Sequence, residues 1–144
     1  GTALTVEDGA LTLPAKHAVI HVGLPYISDI ETLDIDTAGG ETMIDKKKAI
    51  SKVTMHVQKT RGVWAGAKAP EDDEDDPLEG LAELKVRESE AYSSPVDLAT
   101  GVVDLIIEPH WNSNGRVFIR QIDPLPMTVL SIAPSGLIPF RGGG

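Results

Sequence analysis

The sequence predicts an all-β fold, an antiparallel barrel or sandwich of short strands and hairpins, on three observations. Apolar and polar residues alternate with a period of two in run after run, the pattern of strands with one face buried. Glycine and proline punctuate these runs at roughly 8–12-residue spacing, as in sandwiches and barrels. No stretch sustains a helical period, and at most a short helical turn fits near residues 42–48, where Lys46, Lys47 and Lys48 follow one another. With 144 residues the chain is sized for one domain, 1–144, able to bury a core without metal or disulfide support.

The clearest stretch is residues 48–66. Val53, Met55 and Val57 alternate with Thr54, His56 and Gln58, then Thr60-Arg61-Gly62 turns the chain and Val63-Trp64-Ala65-Gly66 follows, a pattern that reads as a hairpin. Upstream, Asp8-Gly9 lies between two alternating runs and predicts another hairpin over residues 3–13. After Pro14, residues 17–22 read as a third strand. Residues 29–35, with Glu31, Leu33 and Ile35 on one side, read as a fourth. Residues 37–40 are a turn, residues 81–88 a strand with Ala82, Leu84 and Val86 inward, preferred over a two-turn helix because the neighbours are strands, and residues 102–108 a strand rich in β-branched residues near the middle of a sheet, set off by Thr100-Gly101. Asn112 to Gly115 is a turn cluster, residues 116–122 a further strand expected at a sheet edge, Asp123-Pro124-Leu125-Pro126 a stiff bend, and residues 127–132 the last strand.

Composition narrows the function classes. There is no cysteine, which removes disulfides, thiolate catalysis and Cys-based zinc sites. The net charge of -9, from 22 Asp+Glu against 13 Lys+Arg, is the reverse of what phosphate neutralisation needs. No apolar run approaches the ~20 residues of a membrane-spanning helix. The chain opens Gly1-Thr2 without Met and closes Arg141 to Gly144 in glycines, and is read as a piece of a longer protein.

Candidate chemistry is sparse. His17 and His21, four apart on a strand, share a face but stand about 13 Å apart, too far for one metal ion, and read as strand histidines. Between Pro70 and Pro77 run six consecutive carboxylates, an extended, mobile acidic loop whose lack of interleaved glycine argues against a calcium loop. Ser94, Asp97 and His110, or the acids Asp104 and Glu108, could be grouped on paper, but no G-x-S-x-G or H-E-x-x-H motif supports catalysis. An inward-facing Asp104 or Glu108 with a raised pKa would revive it. Trp64, Trp111, Tyr26 and Tyr92 would make a sugar-stacking platform if exposed together, the alternative reading being a host-surface glycan-binding module of a phage tail. Neither a cofactor nor a small-molecule substrate is expected.

Three phrases carry a resemblance. His21-Val22-Gly23-Leu24-Pro25-Tyr26, the run over residues 45–62 that holds Lys48, Val53, Thr60, Arg61 and Gly62, and Asp123-Pro124-Leu125-Pro126 with its continuation to Ile132 resemble segments of podovirus tail nozzle proteins, also called tail tubular protein B or packaged-DNA stabilisation proteins. The resemblance covers residues 17–66 and 116–134, about half the chain. It implies a structural, non-enzymatic virion protein of a phage or prophage, made in the bacterial cytoplasm. Such a protein is homohexameric, sits below the portal and its adaptor ring, and passes DNA without specific binding. Nozzle proteins are much longer, so this chain resembles one β-rich domain of such a protein. An acidic wall suits a conduit, because it repels phosphate; the same charge also serves simple solubility, and both readings stand.

Overall fold

The computed structural model describes residues 4–16, 20, 22–35, 37–38, 41–42, 47–72, 75–85, 97–111 and 115–137. Among the described residues nine strands appear: β1 Ser28–Glu31, β2 Thr37–Ala38, β3 Glu41–Thr42, β4 Ala49–Thr60, β5 Val63–Gly66, β6 Ala82–Glu83, β7 Ala99–Ile106, β8 Phe118–Gln121 and β9 Val129–Leu137. They form a four-stranded sheet in the order β1-β8-β5-β6, a three-stranded sheet in the order β7-β4-β9 and the small ribbon β2-β3, every pairing antiparallel. The two larger sheets share one apolar core and do not close into a barrel, so the all-β expectation resolves to a sandwich. Among the described residues there is no helix. Thr42 lies in β3, Lys47 and Lys48 are not helical, and residues 43–46 lie outside the described set.

Alternation on β4 sets the core. Val53, Met55 and Val57 are fully buried and face Val63, Ala65, Val117 and Ile119 of the other sheet, while Lys52, Thr54 and His56 line the outer face. Ile30, Ile119, Ala65 and Ala82 form one cross-strand row on the inner face of the four-stranded sheet.

Several expectations change in structure. β4 and β5 are not a hairpin: β4 pairs with β7 and β9, β5 with β8 and β6, and the turn between them carries the chain from one sheet to the other. The fourth strand is Ser28–Glu31, with Ile30 inward; of the residues expected together on one side, Leu33 is 86% exposed while Ile35 packs against the core, because pairing with β8 ends at Glu31. The strand over residues 116–122 is not an edge, since β8 lies between β1 and β5. The strand over residues 102–108 lies at an edge, and only Val103, Leu105 and Ile107 turn inward, leaving Ile106 82% exposed. Thr100-Gly101 does not interrupt it: Gly101 takes φ 115 inside β7, where Gln58 and Lys59 of β4 oppose the single residue Thr100 as a bulge. β9 runs through Pro134 to Leu137 instead of stopping at Ile132.

Asp8 and Gly9 adopt φ 50 and φ 75, the left-handed pair of a tight hairpin turn, but only Glu7 and Ala10 pair across it. The strand expected over residues 17–22 falls largely outside the described residues; Ile20 and Val22 are non-strand and exposed. Ala82 and Leu84 turn inward as expected, while Val86 lies outside the described residues. Of the turn expected over residues 37–40, Thr37 and Ala38 instead form β2 and pair with β3, and residues 39–40 lie outside the described set; of that over 112–115, Gly115 takes φ 65 and residues 112–114 lie outside.

The alternation makes a stability contrast measurable. Met55→Ala, at a fully buried position, should cost about 2–5 kcal/mol in denaturant unfolding, whereas Ile106→Ala should change stability by less than about 0.5 kcal/mol. Equal losses would place Ile106 in the core and refute this register.

Candidate functional site

The feature that draws separated sequence together is the corner between β4 and β5. Lys59 takes φ 45 and Gly62 φ 70, two left-handed positions that reverse the chain out of one sheet. Between them Thr60 is fully buried. Its hydroxyl accepts the Thr128 N–H at 2.9 Å and lies within donating distance of the carbonyls of Gln58 (3.0 Å) and Thr128 (3.1 Å). The Arg61 N–H donates to the Pro126 carbonyl at 3.1 Å and its guanidinium to the Asp97 carbonyl at 3.1 Å, while the buried Gln121 amide donates to the Arg61 carbonyl at 2.8 Å. Every polar group brought inside here has a partner, as burial demands.

The three phrases that carry the resemblance meet at this corner. A β-carbon on Gly23 would stand 2.5 Å from Cβ of Pro124, and one on Gly62 would stand 3.1 Å from Cδ1 of Leu125. Gly23 is therefore packed against the proline bend, and Gly62 against its neighbour. Val22, Leu24 and Tyr26 beside them are exposed at 77%, 87% and 57%, and His21 lies outside the described residues. Lys48 and Val53 lie away from the corner: Val53 is core on β4, and the buried Lys48, just before β4, passes its stem by Gly115, where a β-carbon would come within 2.9 Å of it.

A second polar assembly lies on the outer face of the four-stranded sheet. Asp29, Arg120, Trp64 and Glu83 are cross-strand neighbours in one row. Arg120 grips Asp29 with two bonds of 2.8 and 2.9 Å, donates to the Pro77 carbonyl at 2.8 Å, and lies 5.1 Å from the centre of the Phe118 ring. Arg116 bonds Asp34 and Glu31. The hydrogen bond to Asp29 raises the Arg120 pKa, and those to Asp34 and Glu31 raise that of Arg116. A raised cation pKa means that both arginines keep their charge up to the alkaline extreme. Gly66 lets this face be roofed: a β-carbon there would lie 2.6 Å from Cδ2 of Leu81 and 3.3 Å from the Gly80 carbonyl.

Of the two acids grouped in the sequence, neither Asp104 nor Glu108 turns inward. Asp104 faces outward and accepts the Thr54 hydroxyl at 2.7 Å, Glu108 and His110 are exposed, Asp97 supplies its backbone carbonyl to Arg61, and Ser94 lies outside the described residues. His17 and His21 also lie outside, and among the described residues no three His, Asp or Glu side chains could share a metal ion. In the acidic run Glu71 pairs with Lys68 at 3.0 Å and Asp76 accepts the Leu78 N–H at 3.0 Å, with residues 73–74 outside the described set. Of the aromatics, Trp64 belongs to β5 and is half-buried, Trp111 follows β7 and is exposed, and Tyr92 lies outside the described residues. Gln121 and Thr128, which the sequence did not single out, tie the corner; the only cue was a Gln at an inward position of an otherwise apolar strand. Compared with known proteins, the chain matches no family model and no curated protein.

If the Thr60 hydroxyl ties the corner, Thr60→Val leaves the Thr128 N–H unpaired and should cost about 1–3 kcal/mol, with Thr60→Ser recovering most of it. Amide exchange at Thr128 should accelerate in Thr60→Val beyond what the global loss explains; unchanged exchange would show that the bond is dispensable.

Proposed function

We propose that the chain is an assembly domain rather than an enzyme, one β-sandwich of a short-tail nozzle protein of a phage or prophage, acting by packing against copies of itself and neighbouring tail proteins around a DNA path. The observation that carries this reading is the segment spanning residues 4–27. It is joined across its own turn only by Glu7 and Ala10, and it exposes Leu4, Val6, Ile20, Val22, Leu24, Tyr26 and Ile27 at 39–87%. Extended apolar surface of this kind marks a face to be covered by another protein. The shared phrases support the finer reading, because they converge on the corner against which the end of this segment packs.

Charge distribution supports a wall that repels phosphate. Asp29, Glu31, Asp72, Asp76, Glu79 and Glu83 are all exposed on or beside the outer face of the four-stranded sheet, where Arg116 and Arg120 are already engaged by carboxylates. In the proposed conduit this side faces the DNA, and the segment over residues 4–27 faces a neighbour.

The test combines mass and binding. Multi-angle scattering and negative-stain imaging of the chain, alone and mixed with its tail partners, should yield cyclic particles, and the chain should not be retained on duplex DNA even at low salt. A persistent monomer in both settings that binds host-surface glycans on an array would replace this reading with the glycan-binding one.

A further inference from the structure

The geometry points to β7 as a self-complementary edge through which two copies of this chain pair about a two-fold axis at Val102. This goes beyond the conduit reading, because the contact is isologous and closes at two copies.

The phase of the edge is fixed within the structure. The Ile107 N–H donates to the Ser51 carbonyl at 3.0 Å, so antiparallel alternation turns the backbone groups of Gly101, Val103 and Leu105 toward β4 and those of Thr100, Val102, Asp104 and Ile106 outward. The same alternation protects the opposite edge. Val53 bonds toward β7, so its β9 partner Pro134 presents its donorless nitrogen outward. β1 has four residues with Asp29 and Glu31 on its outer face, and β6 has two. Among the described strands, β7 is the longest edge that carries neither proline nor lysine.

The side chains on its solvent face read Thr100, Val102, Asp104, Ile106, preceded in the same phase by Leu98 just before the strand, with Leu98 36%, Val102 69% and Ile106 82% exposed. Antiparallel pairing with a second copy about Val102 sets Val102 against Val102, Thr100 against Asp104, and Leu98 against Ile106. Each apolar group meets an apolar group, and each polar group a polar one. The outward backbone groups of Val102, Thr100 and Asp104 then exchange direct hydrogen bonds across the axis.

The polar pair is chemically available. Thr100 Oγ1 accepts the Lys59 N–H at 3.0 Å, which leaves its hydroxyl hydrogen to donate, and Asp104 Oδ1 accepts from Thr54, which leaves Oδ2 to receive it. Moving the axis to Asp104 would set two carboxylates face to face, and moving it to Val103 would set Val102 against Asp104. The sequence of this edge therefore disfavours both registers shifted toward Asp104. With a charge of -9 on each copy, the pair tightens as added salt screens their repulsion.

Sedimentation equilibrium of the whole chain should show a monomer–dimer equilibrium that strengthens with salt, and Val102→Lys, which opposes two ammonium groups on the axis, should weaken it by at least about tenfold with an unchanged circular-dichroism spectrum. The chain has no cysteine, so Val102→Cys should form an intermolecular disulfide under mild oxidation, whereas Leu130→Cys, 57% exposed on β9, should not. Monomer at every concentration, or equal cross-linking of the two cysteine variants, would overturn the pairing. Rings that survive Val102→Lys and do not cross-link at Val102→Cys would overturn it too while leaving the conduit reading intact; loss of the rings alone, with the dimer retained, would do the reverse.

Discussion

The sandwich depends on one strand being handed from sheet to sheet without leaving a buried polar group unpaired. β4 ends at Thr60 in the three-stranded sheet, and β5 begins at Val63 in the four-stranded one, so the chain leaves one layer and enters the other within two residues. Stacked sheets stand about 10 Å apart, which forces the peptide groups at such a corner into the interior, away from their ladders. The Thr60 hydroxyl, the Gln121 amide and the Pro126 carbonyl replace the lost ladder partners, while Lys59 and Gly62 supply the left-handed conformations. The inner residues Val57 and Val63 can face one core only because this corner is closed.

That constraint explains what was legible in the sequence. Alternation is local, and it located β4, β5 and the inward face of β4 from Val53, Met55 and Val57. Pairing is not local. A left-handed Gly62 serves a hairpin and an inter-sheet corner equally well, so nothing in Thr60-Arg61-Gly62 distinguished them. The same gap misplaced the other strands. Residues 29–35 offer alternating apolar positions, but Ile30 and Leu33 have opposite phases, and only the register with Phe118 to Gln121 decides between them. Residues 102–107 look like central-strand sequence because they are rich in β-branched residues, yet in an edge strand of a sandwich half of that apolar surface stays in water. The resemblance and the contacts address different levels: phrases far apart in sequence, at Gly23, Gly62 and Pro124, meet at the corner, which period and propensity alone do not reveal.

The two outer faces are unlike. On the four-stranded sheet, Arg120 and Arg116 are each committed to carboxylates, and the stretch over residues 77–81 lies across Gly66, so the surface presents mainly the remaining acids. Exposed pairs such as Arg116 with Glu31 add little stability, whereas the two-pronged Arg120 grip, 14% exposed, orients the acidic stretch that follows Pro70 through its bond to the Pro77 carbonyl. On the three-stranded sheet the outer face is mixed, with Lys52, His56 and Asp104 among Val102 and Ile106.

An open sandwich carries a cost that a barrel does not: every sheet ends in unpaired backbone groups. Among the described residues of the two larger sheets the edges are treated differently, by brevity at β6, by acids on the four-residue β1 and by Pro134 on β9, while β7 is long and carries neither proline nor lysine. Edge protection at three places makes the fourth a selective acceptor, since an incoming strand has one place to add and the Thr100, Val102 and Asp104 pattern restricts what can be added there. A domain that works by assembly needs this combination, because indiscriminate edges would aggregate and fully guarded ones would confine recognition to side chains. In the proposed pairing the acidic face adds a second restriction by repelling its own kind, which favours approach through the sheet that lacks it.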